Sequence, residues 1–274
     1  MSYHQDFTAI SRTMLSDFAE SPVMYYRKYI ARNLVEEPSE ALLFGTRFHS
    51  MVFEPQQFSQ TYAIEPNVGH RGRNPGKKAI EEFRRANAGK ESISYADAQK
   101  MIAMLASLSQ DRLAWKLLCG KGQAEHVIKW TDPETGLPCK AKIDKLLLAK
   151  GIVVDLKTAR SCVPDDFNRL VPSLGYDRQA AWYLDGVEAV FGKRCEWINV
   201  VCQTEECHEH SIIRMTADKV EIGRRKNREA LAELKERMDA GAWSSRFAGK
   251  IFECDVTKFE REKLYGDSSF SPES

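Results

Sequence analysis

An aspartate and a lysine lie two positions apart in the apolar stretch IVVDLKTA, residues 152–159. If this stretch is a β-strand, its side chains alternate between two faces, so Asp155 and Lys157 share one face and Leu156 points to the other. A surface ion pair of this kind contributes only about 0–1 kcal/mol to stability. The alternative is that the pair belongs to a catalytic site.

More charged residues lie on the two stretches that precede this one. Glu125 lies in AEHVIKW, and CKAKIDKLLLA carries Lys140, Lys142 and Asp144 at alternate positions. The turns TDPETGLP and KG separate the three stretches, which predicts three consecutive strands. Neighbouring strands lie about 4.8 Å apart, so Asp144 and Asp155 converge if the register permits.

Carboxylates on adjacent strands suit a hard divalent cation such as Mg²⁺, which prefers oxygen ligands and keeps waters for a phosphate group. Such an ion polarises a phosphoryl oxygen and lowers the pKa of a water. A lysine beside the carboxylates orients or helps to deprotonate the attacking water, or neutralises charge on the phosphoryl group. A D-x-K tripeptide alone carries little information. The order of the features is more informative: an acid on one strand, a tight turn, a second acid and a lysine on the next strand, and then a helix. This order favours metal-assisted phosphodiester hydrolysis.

The elements that position these residues are predicted from apolar periodicity and turn signals. Residues 10–32 predict two short helices divided by a Ser-Pro turn, with Ser11 as an N-cap. Further helices are predicted at 41–55, 76–86, 94–119, 176–192 and 217–240, and further strands at 195–203 and 208–215. This order predicts an α/β or α+β fold, a central mixed sheet flanked by helices, with an N-terminal helical extension.

The composition is that of an ordinary globular protein. The chain has 274 residues, of which 43% are hydrophobic and 29% charged, and a formal net charge of +1. Its seven cysteines lack the dense pairing of a secreted disulfide framework, which favours reduced thiols. No stretch approaches the roughly 20 apolar residues that cross a bilayer, the first 15 residues contain no apolar h-region, and no Gly-rich nucleotide-binding motif occurs. A cytoplasmic protein without a membrane segment is expected.

The motifs together resemble the PD-(D/E)xK nuclease superfamily, with Asp144 as the first acid and Asp155-Leu156-Lys157 as the D-x-K. GTRFH, residues 45–49, resembles the G-x-x-(hydrophobic)-H helix motif of RecB-type nucleases, and QAAWY, residues 179–183, resembles their Q-x-x-x-Y motif. The opening S-x-x-x-L…SPxxYY and FGTRFHSMVFEP are similar to the nuclease domain of RecE, exonuclease VIII, of phage or prophage origin.

The resemblance implies a metal site. Asp144 and Asp155 would hold Mg²⁺ or Mn²⁺, two ions in all, and Leu156 would offer its backbone carbonyl. His49 would reach the site from its helix as a ligand or as the neighbour of a ligand. Among apolar neighbours, a histidine such as His49 also fits a buried core position.

The resemblance also implies catalytic roles. Lys157 would serve the attacking water, and Glu125 would support the second ion or that water. Gln179 and Tyr183 would orient the lysine and the DNA backbone from the helix after the third strand. Read without the resemblance, Glu125 and Gln179 fit surface positions and Tyr183 a core position.

DNA contacts are expected from HRGRNPGKK, which places basic side chains in a predicted mobile loop before a helix: Arg71, Arg73, Lys77 and Lys78. Their charge would bind phosphates, which positions the nucleic acid without reading its sequence. A solvated loop without a ligand is the alternative.

The function implied by the resemblance is a Mg²⁺-dependent exodeoxyribonuclease that degrades one strand of linear duplex DNA, 5′ to 3′, and leaves a 3′ overhang. Its partners would be duplex ends, a RecT-like annealing protein in recombination, and further copies of itself in a ring-shaped tetramer. The expected organisation is one nuclease domain over 1–265, with a helical part at 1–120, an αβββαβ core at 121–245 and a disordered tail at 266–274.

Two alternatives remain open. One is an endonuclease or a Cas4-like nuclease of the same superfamily, although the cysteines lack the spacing of an iron–sulfur quartet. The other is a catalytically silent DNA-binding module, which the intact Asp144, Asp155 and Lys157 disfavour. A separate soft-metal site, or plain cross-strand polar contacts, would account for Cys202, Cys207, His208 and His210.

Overall fold

The computed structural model of the chain describes residues 3, 6–68, 74–205 and 207–265. The helices in these residues are α1 (Arg12–Glu20), α2 (Pro22–Tyr25), α3 (Glu40–Phe53), α4 (Pro55–Thr61), α5 (Asn74–Ala86), α6 (Tyr95–Gln110), α7 (Arg112–Cys119), α8 (Pro164–Leu174), α9 (Tyr176–Phe191), α10 (Ala217–Ala240) and α11 (Lys258–Tyr265). The strands are β1 (Tyr62–Ile64), β2 (Glu91–Ile93), β3 (Gln123–Thr131), β4 (Pro138–Leu147), β5 (Ile152–Ala159), β6 (Glu196–Gln203) and β7 (His210–Arg214).

Five strands form a mixed sheet in the order β3-β4-β5-β6-β7, and β1 and β2 form a separate parallel pair. The pairings β3–β4, β4–β5 and β6–β7 are antiparallel, whereas β5–β6 is parallel. A parallel pair needs a long crossover, and α8 and α9 supply it. The predicted α/β fold with a central mixed sheet between helices is therefore confirmed.

A hydrophobic cluster covers each face of the sheet. Val153 packs on one side with residues of α1, α9 and α10, whereas Val154 and Leu156 pack on the other with residues of α3, α6 and α7. The alternation along β5 follows from the two-residue period of a strand. It places Asp155 on the face that α9 covers, and the burial of Leu156 on the opposite face contributes about 1.5–3 kcal/mol.

Two glycines fix the position of the N-terminal end of α9. Gly175 joins α8 to α9 with a φ of 65°, a left-handed conformation that favours glycine. Farther along the chain, α10 crosses α9 so closely that a Cβ atom at Gly223 would lie 2.1 Å from the carbonyl oxygen of Asp177. A larger residue at either glycine would displace the helix that carries Gln179.

Several sequence predictions agree with the structure and several differ. Ser11 caps α1, and its hydroxyl accepts a hydrogen bond from Met14 N at 3.2 Å, as predicted. The single helix predicted over 94–119 is wrong, because the Asp111 side chain accepts from Leu113 N and Ala114 N and so caps a separate α7. The helices α8 and α11 were not predicted at all.

None of the helices in the described residues has the length and apolar character needed to cross a bilayer. The tail predicted to be disordered, 266–274, lies outside the described residues.

Candidate active site

The sheet register brings one acidic residue from each of three strands to the same level. The partners Ala124↔Lys145 and His126↔Ile143 flank Glu125 and Asp144. The last β4–β5 partners are Lys145↔Val154, after which Asp144 and Asp155 are the next residues on each strand. Beyond this point β4 and β5 separate, and the Asp144 Oδ2 atom accepts a hydrogen bond from Leu156 N at 2.9 Å.

Asp155 is the centre of a buried hydrogen-bond network. Its carboxylate accepts from Lys157 Nζ at 2.9 Å and 2.8 Å, from Gln179 Nε2 at 2.7 Å and from Asn199 Nδ2 at 2.9 Å. The Gln179 Oε1 atom in turn accepts from Lys157 Nζ at 3.1 Å. Gln179 therefore contacts both members of the D-x-K pair, and the ammonium group is held from two sides.

His49 reaches the same level from α3. Its Nε2 atom lies 2.7 Å from the carbonyl oxygen of Leu156, and its Nδ1 atom lies 3.4 Å from Asp144 Oδ2. A carbonyl oxygen only accepts, so Nε2 carries the proton. In the neutral ring Nδ1 then keeps its lone pair, which faces the carboxylates.

Glu125 completes the group from β3. It adopts a φ of 49°, which is uncommon for a residue other than glycine in a strand, and its carboxylate pairs with Lys142 Nζ. Within the described part of the chain, one group of at least three His, Cys, Asp or Glu side chains is suited to a metal. It consists of His49, Glu125 and Asp144, whose ligand atoms lie within 4.8 Å of one another.

Burial within the group disfavours the charged forms of its side chains. Burial raises the pKa of Asp144 to about 7, and the charge of Asp155 acts in the same direction. Burial also raises the pKa of Glu125, and it lowers the pKa of His49, on which the positive charge of Lys157 acts likewise. A buried carboxylate cluster of this kind needs a cation to be fully ionised.

The donor set fits a divalent metal ion. The two carboxylates suit Mg²⁺ or Mn²⁺, whereas the imidazole suits a transition metal better than it suits Mg²⁺. The second nitrogen of His49 donates to a backbone carbonyl, the arrangement that commonly orients metal-binding histidines. Asp155 accepts hydrogen bonds from Lys157, Gln179 and Asn199, and the Leu156 carbonyl accepts from His49, so the roles of Asp155 and Leu156 as ligands stay predictions.

The group lies in a cleft of about 840 Å³ between the sheet, α1, α3 and α9. Tyr183 lines this cleft and packs edge-on against Trp197, with 5.6 Å between ring centroids, and burial raises its pKa well above the usual value. Tyr176 also lines it, and the Lys157 Nζ atom lies 4.8 Å from the centroid of its ring. The Tyr176 ring therefore covers one side of the lysine ammonium.

Two site residues were missed by the sequence analysis. Asn199 is fully buried in β6, where it accepts from Trp197 Nε1 at 3.0 Å and donates to Asp155. A lone polar residue within the apolar run WINVV was the available signal. No feature of the sequence indicated Tyr176, because its contact with Lys157 depends on the turn at Gly175.

The expected DNA-binding residues are only partly described. Arg71 and Arg73 lie outside the described residues. Lys77 and Lys78 lie on α5 and not in a loop, because the helix already begins at Asn74 with Pro75 in its first turn, a position that proline favours. Both lysines are exposed, neither lines the cleft, and Lys78 pairs with Glu82 at 3.8 Å.

Near β7, the structure shows polar contacts for the histidine His210 and an apolar environment for Cys202. His210 lies 3.0 Å from Asp111 Oδ2 and 3.2 Å from the Ser107 hydroxyl, and Cys202 is buried among apolar residues. Within the described residues, no metal-suited group includes Cys207 or His208.

Comparisons with other proteins agree with this fold. The sequence matches, over residues 11–257, the family DUF3799, described as a PDDEXK-like domain of unknown function. The chain is similar to a solved structure described as a "putative exonuclease" from Eubacterium rectale, with 16% identity over 98% of this chain and 99% of that chain and a TM-score of 0.64. At that identity the likeness shows the fold alone. A second structure, SSO0001, is 16% identical over 86% of this chain and 88% of its own, but its TM-score of 0.30 carries no argument. No curated protein matches the chain.

Proposed function

The chain belongs to the DUF3799 family of PDDEXK-like domains, and on that premise we propose that it is a divalent-metal-dependent exodeoxyribonuclease. The family and the fold indicate a nuclease and agree with the resemblance to the PD-(D/E)xK superfamily. The observation that carries the proposal is one cleft in which the Asp155–Lys157–Gln179 network adjoins the group His49, Glu125 and Asp144.

The metal would be held by His49, Glu125 and Asp144, with Asp155 and the carbonyl of Leu156 beside them. When bound, Mg²⁺ or Mn²⁺, as one ion or two, supplies Lewis-acid polarisation of the phosphoryl oxygen and a lowered pKa for the attacking water. His49 would present Nδ1 while its Nε2 proton stays on the Leu156 carbonyl.

Lys157 would act on the reacting groups through its ammonium. Asp155 and Gln179 hold Nζ in one place, so the charge does not have to be positioned when the substrate arrives. Nζ would orient the attacking water or stabilise the negative charge that develops on the phosphoryl oxygens. Glu125 would support the water, and Tyr183 would orient the DNA backbone.

The finer features of the proposal rest on the motif resemblance to RecE. They are 5′-to-3′ digestion of one strand, a 3′ overhang, transfer to a RecT-like annealing protein in recombination, and a ring-shaped tetramer. Arg71, Arg73, Lys77 and Lys78 would bind DNA phosphates by charge, without reading the sequence.

The substrate preference tests the proposal. The purified protein is incubated in Mg²⁺ with linear duplex, covalently closed circular duplex and single-stranded DNA, each labelled at the 5′ or the 3′ end where an end exists. We expect loss of the linear duplex, with early release of the 5′ label as short products. Cleavage of the closed circle would establish an endonuclease, and DNA binding without any digestion would establish a silent module.

A further inference from the structure

Arg12, the first residue of α1, adds a cation to the catalytic cleft that no carboxylate in the described residues neutralises. Its Nη2 atom donates to the carbonyl oxygens of Leu174 at 2.6 Å and Gly175 at 3.1 Å. Its Nε atom is buried and has no hydrogen-bond partner, alone among side-chain nitrogens and oxygens in the described part of the chain.

An orphaned N–H on a charged group is costly, because the group has lost water without gaining an acceptor. The neighbouring Arg178 adds a second positive charge, which the carboxylate of Asp177 offsets in part. Burial lowers the pKa of Arg178, and the charge of Arg12 acts in the same direction. The hydrogen-bond acceptors of Arg178 are neutral, namely Asn227 Oδ1 at 3.0 Å and the Leu15 carbonyl at 3.4 Å. The folded protein therefore holds two adjacent guanidinium groups whose acceptors are all uncharged.

The place of Arg12 in the cleft indicates what would compensate this charge. Arg12 lines the same cleft as His49, Asp144 and Lys157. Its Nη1 atom has no hydrogen-bond partner in the described residues. Nε is the one buried side-chain nitrogen or oxygen of these residues without a partner, so Nη1 is not buried and solvent reaches it. With Nη2 fixed by two carbonyls, the guanidinium is positioned before any ligand binds. A fixed guanidinium with free donors matches the oxygens of a phosphate group.

We propose that Arg12 binds a phosphate group of the nucleic-acid strand, next to the phosphodiester that is cleaved. The inference rests on the proposed nuclease function and names a positioning residue for it. The phosphate is either the terminal 5′-phosphate of the strand or an internal phosphodiester, since the chemistry of recognition is the same. An arginine at this point would fix how far the strand enters the cleft.

The inference is tested by asking whether the effect of removing one phosphate charge on binding depends on Arg12. We call this dependence the coupling between Arg12 and that phosphate. Duplexes are prepared that lack the 5′-phosphate or that carry one neutral methylphosphonate at each of the terminal positions in turn. Their binding in Mg²⁺ is measured with Lys157→Ala, which prevents digestion, and with Lys157→Ala combined with Arg12→Gln. The control is Arg169→Gln in the same background, because Arg169 pairs with Asp166 on the exposed side of α8 and does not line the cleft.

We expect one modification to weaken binding about tenfold when Arg12 is present and less than about twofold in Arg12→Gln. The Arg169→Gln protein should behave as its parent does. Coupling at the missing 5′-phosphate identifies a terminal site, and coupling at a methylphosphonate identifies an internal one. If Arg12 had only a structural role, Arg12→Gln would not change the effect of any single phosphate modification on binding.

If every modification weakens binding equally with and without Arg12, the inference is wrong while the nuclease proposal stands. If no duplex binds at all, the nuclease proposal fails and this inference fails with it. Should Arg12→Gln not fold, because the contacts with Leu174 and Gly175 are lost, Arg12→Lys replaces it. That variant keeps the charge but lacks the planar guanidinium that the Leu174 and Gly175 carbonyls hold in place, so we expect coupling reduced to about threefold, and coupling equal to that of Arg12 would overturn the inference.

Discussion

His49 Nε2 lies 2.7 Å from the carbonyl oxygen of Leu156, which joins α3 to the D-x-K strand across 107 positions of sequence. The contact fixes the neutral tautomer and leaves Nδ1 facing Asp144 at 3.4 Å. Burial lowers the pKa of His49, which keeps the ring neutral at physiological pH. A helix that is distant in the sequence thus brings an imidazole nitrogen to the candidate site.

The first prediction concerns metal binding in the absence of DNA. Mg²⁺ or Mn²⁺ should raise the melting temperature, because a ligand at 100 times its Kd adds about 2.7 kcal/mol to the free energy of unfolding. The shift should be lost in His49→Ala, as measured by differential scanning calorimetry. His210→Ala is the matched control, because His210 contacts Asp111 and Ser107 away from the cleft. An equal metal-induced shift in His49→Ala would contradict the assignment of the site.

The second prediction concerns the pH dependence of stability without metal. Asp144 has a pKa of about 7 in the folded protein against an ordinary value of 3.8, so the folded state holds a proton that the unfolded chain releases. The contribution of Asp144 to the free energy of unfolding should therefore fall as pH rises from about 4 to about 8, by about 1–4 kcal/mol, and should be constant above that range.

Asp144→Asn tests this prediction because asparagine has a similar shape and does not titrate. In chelator at pH 8 the variant should be more stable than the unmodified protein, and most of the slope should disappear. A residual slope of the same sign is expected from Glu125, whose pKa is also raised. Denaturant titration across the pH range provides the measurement, and an unchanged slope in Asp144→Asn would count against the prediction.

The third prediction concerns Gln179, which accepts from Lys157 and donates to Asp155. Gln179→Leu should lower kcat about 10- to 100-fold with little change in KM. The reason is that the loss of two buried hydrogen bonds to charged groups removes about 1.5–3 kcal/mol of positioning energy. Gln110→Leu, at the exposed end of α6, should leave both constants unchanged. A change in KM alone would show that Gln179 binds DNA and does not position the lysine.

The fourth prediction concerns Tyr176, whose ring lies beneath the Lys157 ammonium. A cation–π contact contributes about 0.5–2 kcal/mol, so Tyr176→Leu should slow digestion about 3- to 30-fold. Tyr176→Phe keeps the ring and should retain most of the activity. Equal losses in both variants would assign the effect to the tyrosine hydroxyl and would exclude the cation–π contact as its cause.

The five strands of the main sheet and the D-x-K pair were predictable from sequence because the two-residue period and the turns are local properties, whereas β1, β2 and α4 were not predicted. Asp155, Lys157 and Gln179 meet as the motif resemblance suggested. The hydrogen bonds of Asn199 and the ring contact of Tyr176 were not predictable, because each depends on which strand or turn is adjacent in space. The same holds for the positive φ of Glu125, which no residue preference indicates.

The missed helix α8 shows the limit of local signals. Pro172 lies inside it, three residues before Gly175, and the short stretch PDDFNRLVPSL reads as a loop between two better-defined elements. Phe167 and Val171 pack into their own small cluster with Val201, and this tertiary contact supports the helix. The carbonyls at the end of α8 then anchor Arg12, so this helix also takes part in the site.

The central claim is that Lys157 and the acidic group beside it hydrolyse DNA with a divalent metal. The most direct test follows the digestion of linear duplex in Mg²⁺ by the unmodified protein and by Lys157→Ala. Lys129→Ala serves as the control, because Lys129 is an exposed lysine of β3 that pairs with Asp6. We predict digestion that chelator abolishes, that Lys157→Ala reduces by at least about 1,000-fold, and that Lys129→Ala leaves intact. Digestion by Lys157→Ala at the rate of the unmodified protein would contradict the account.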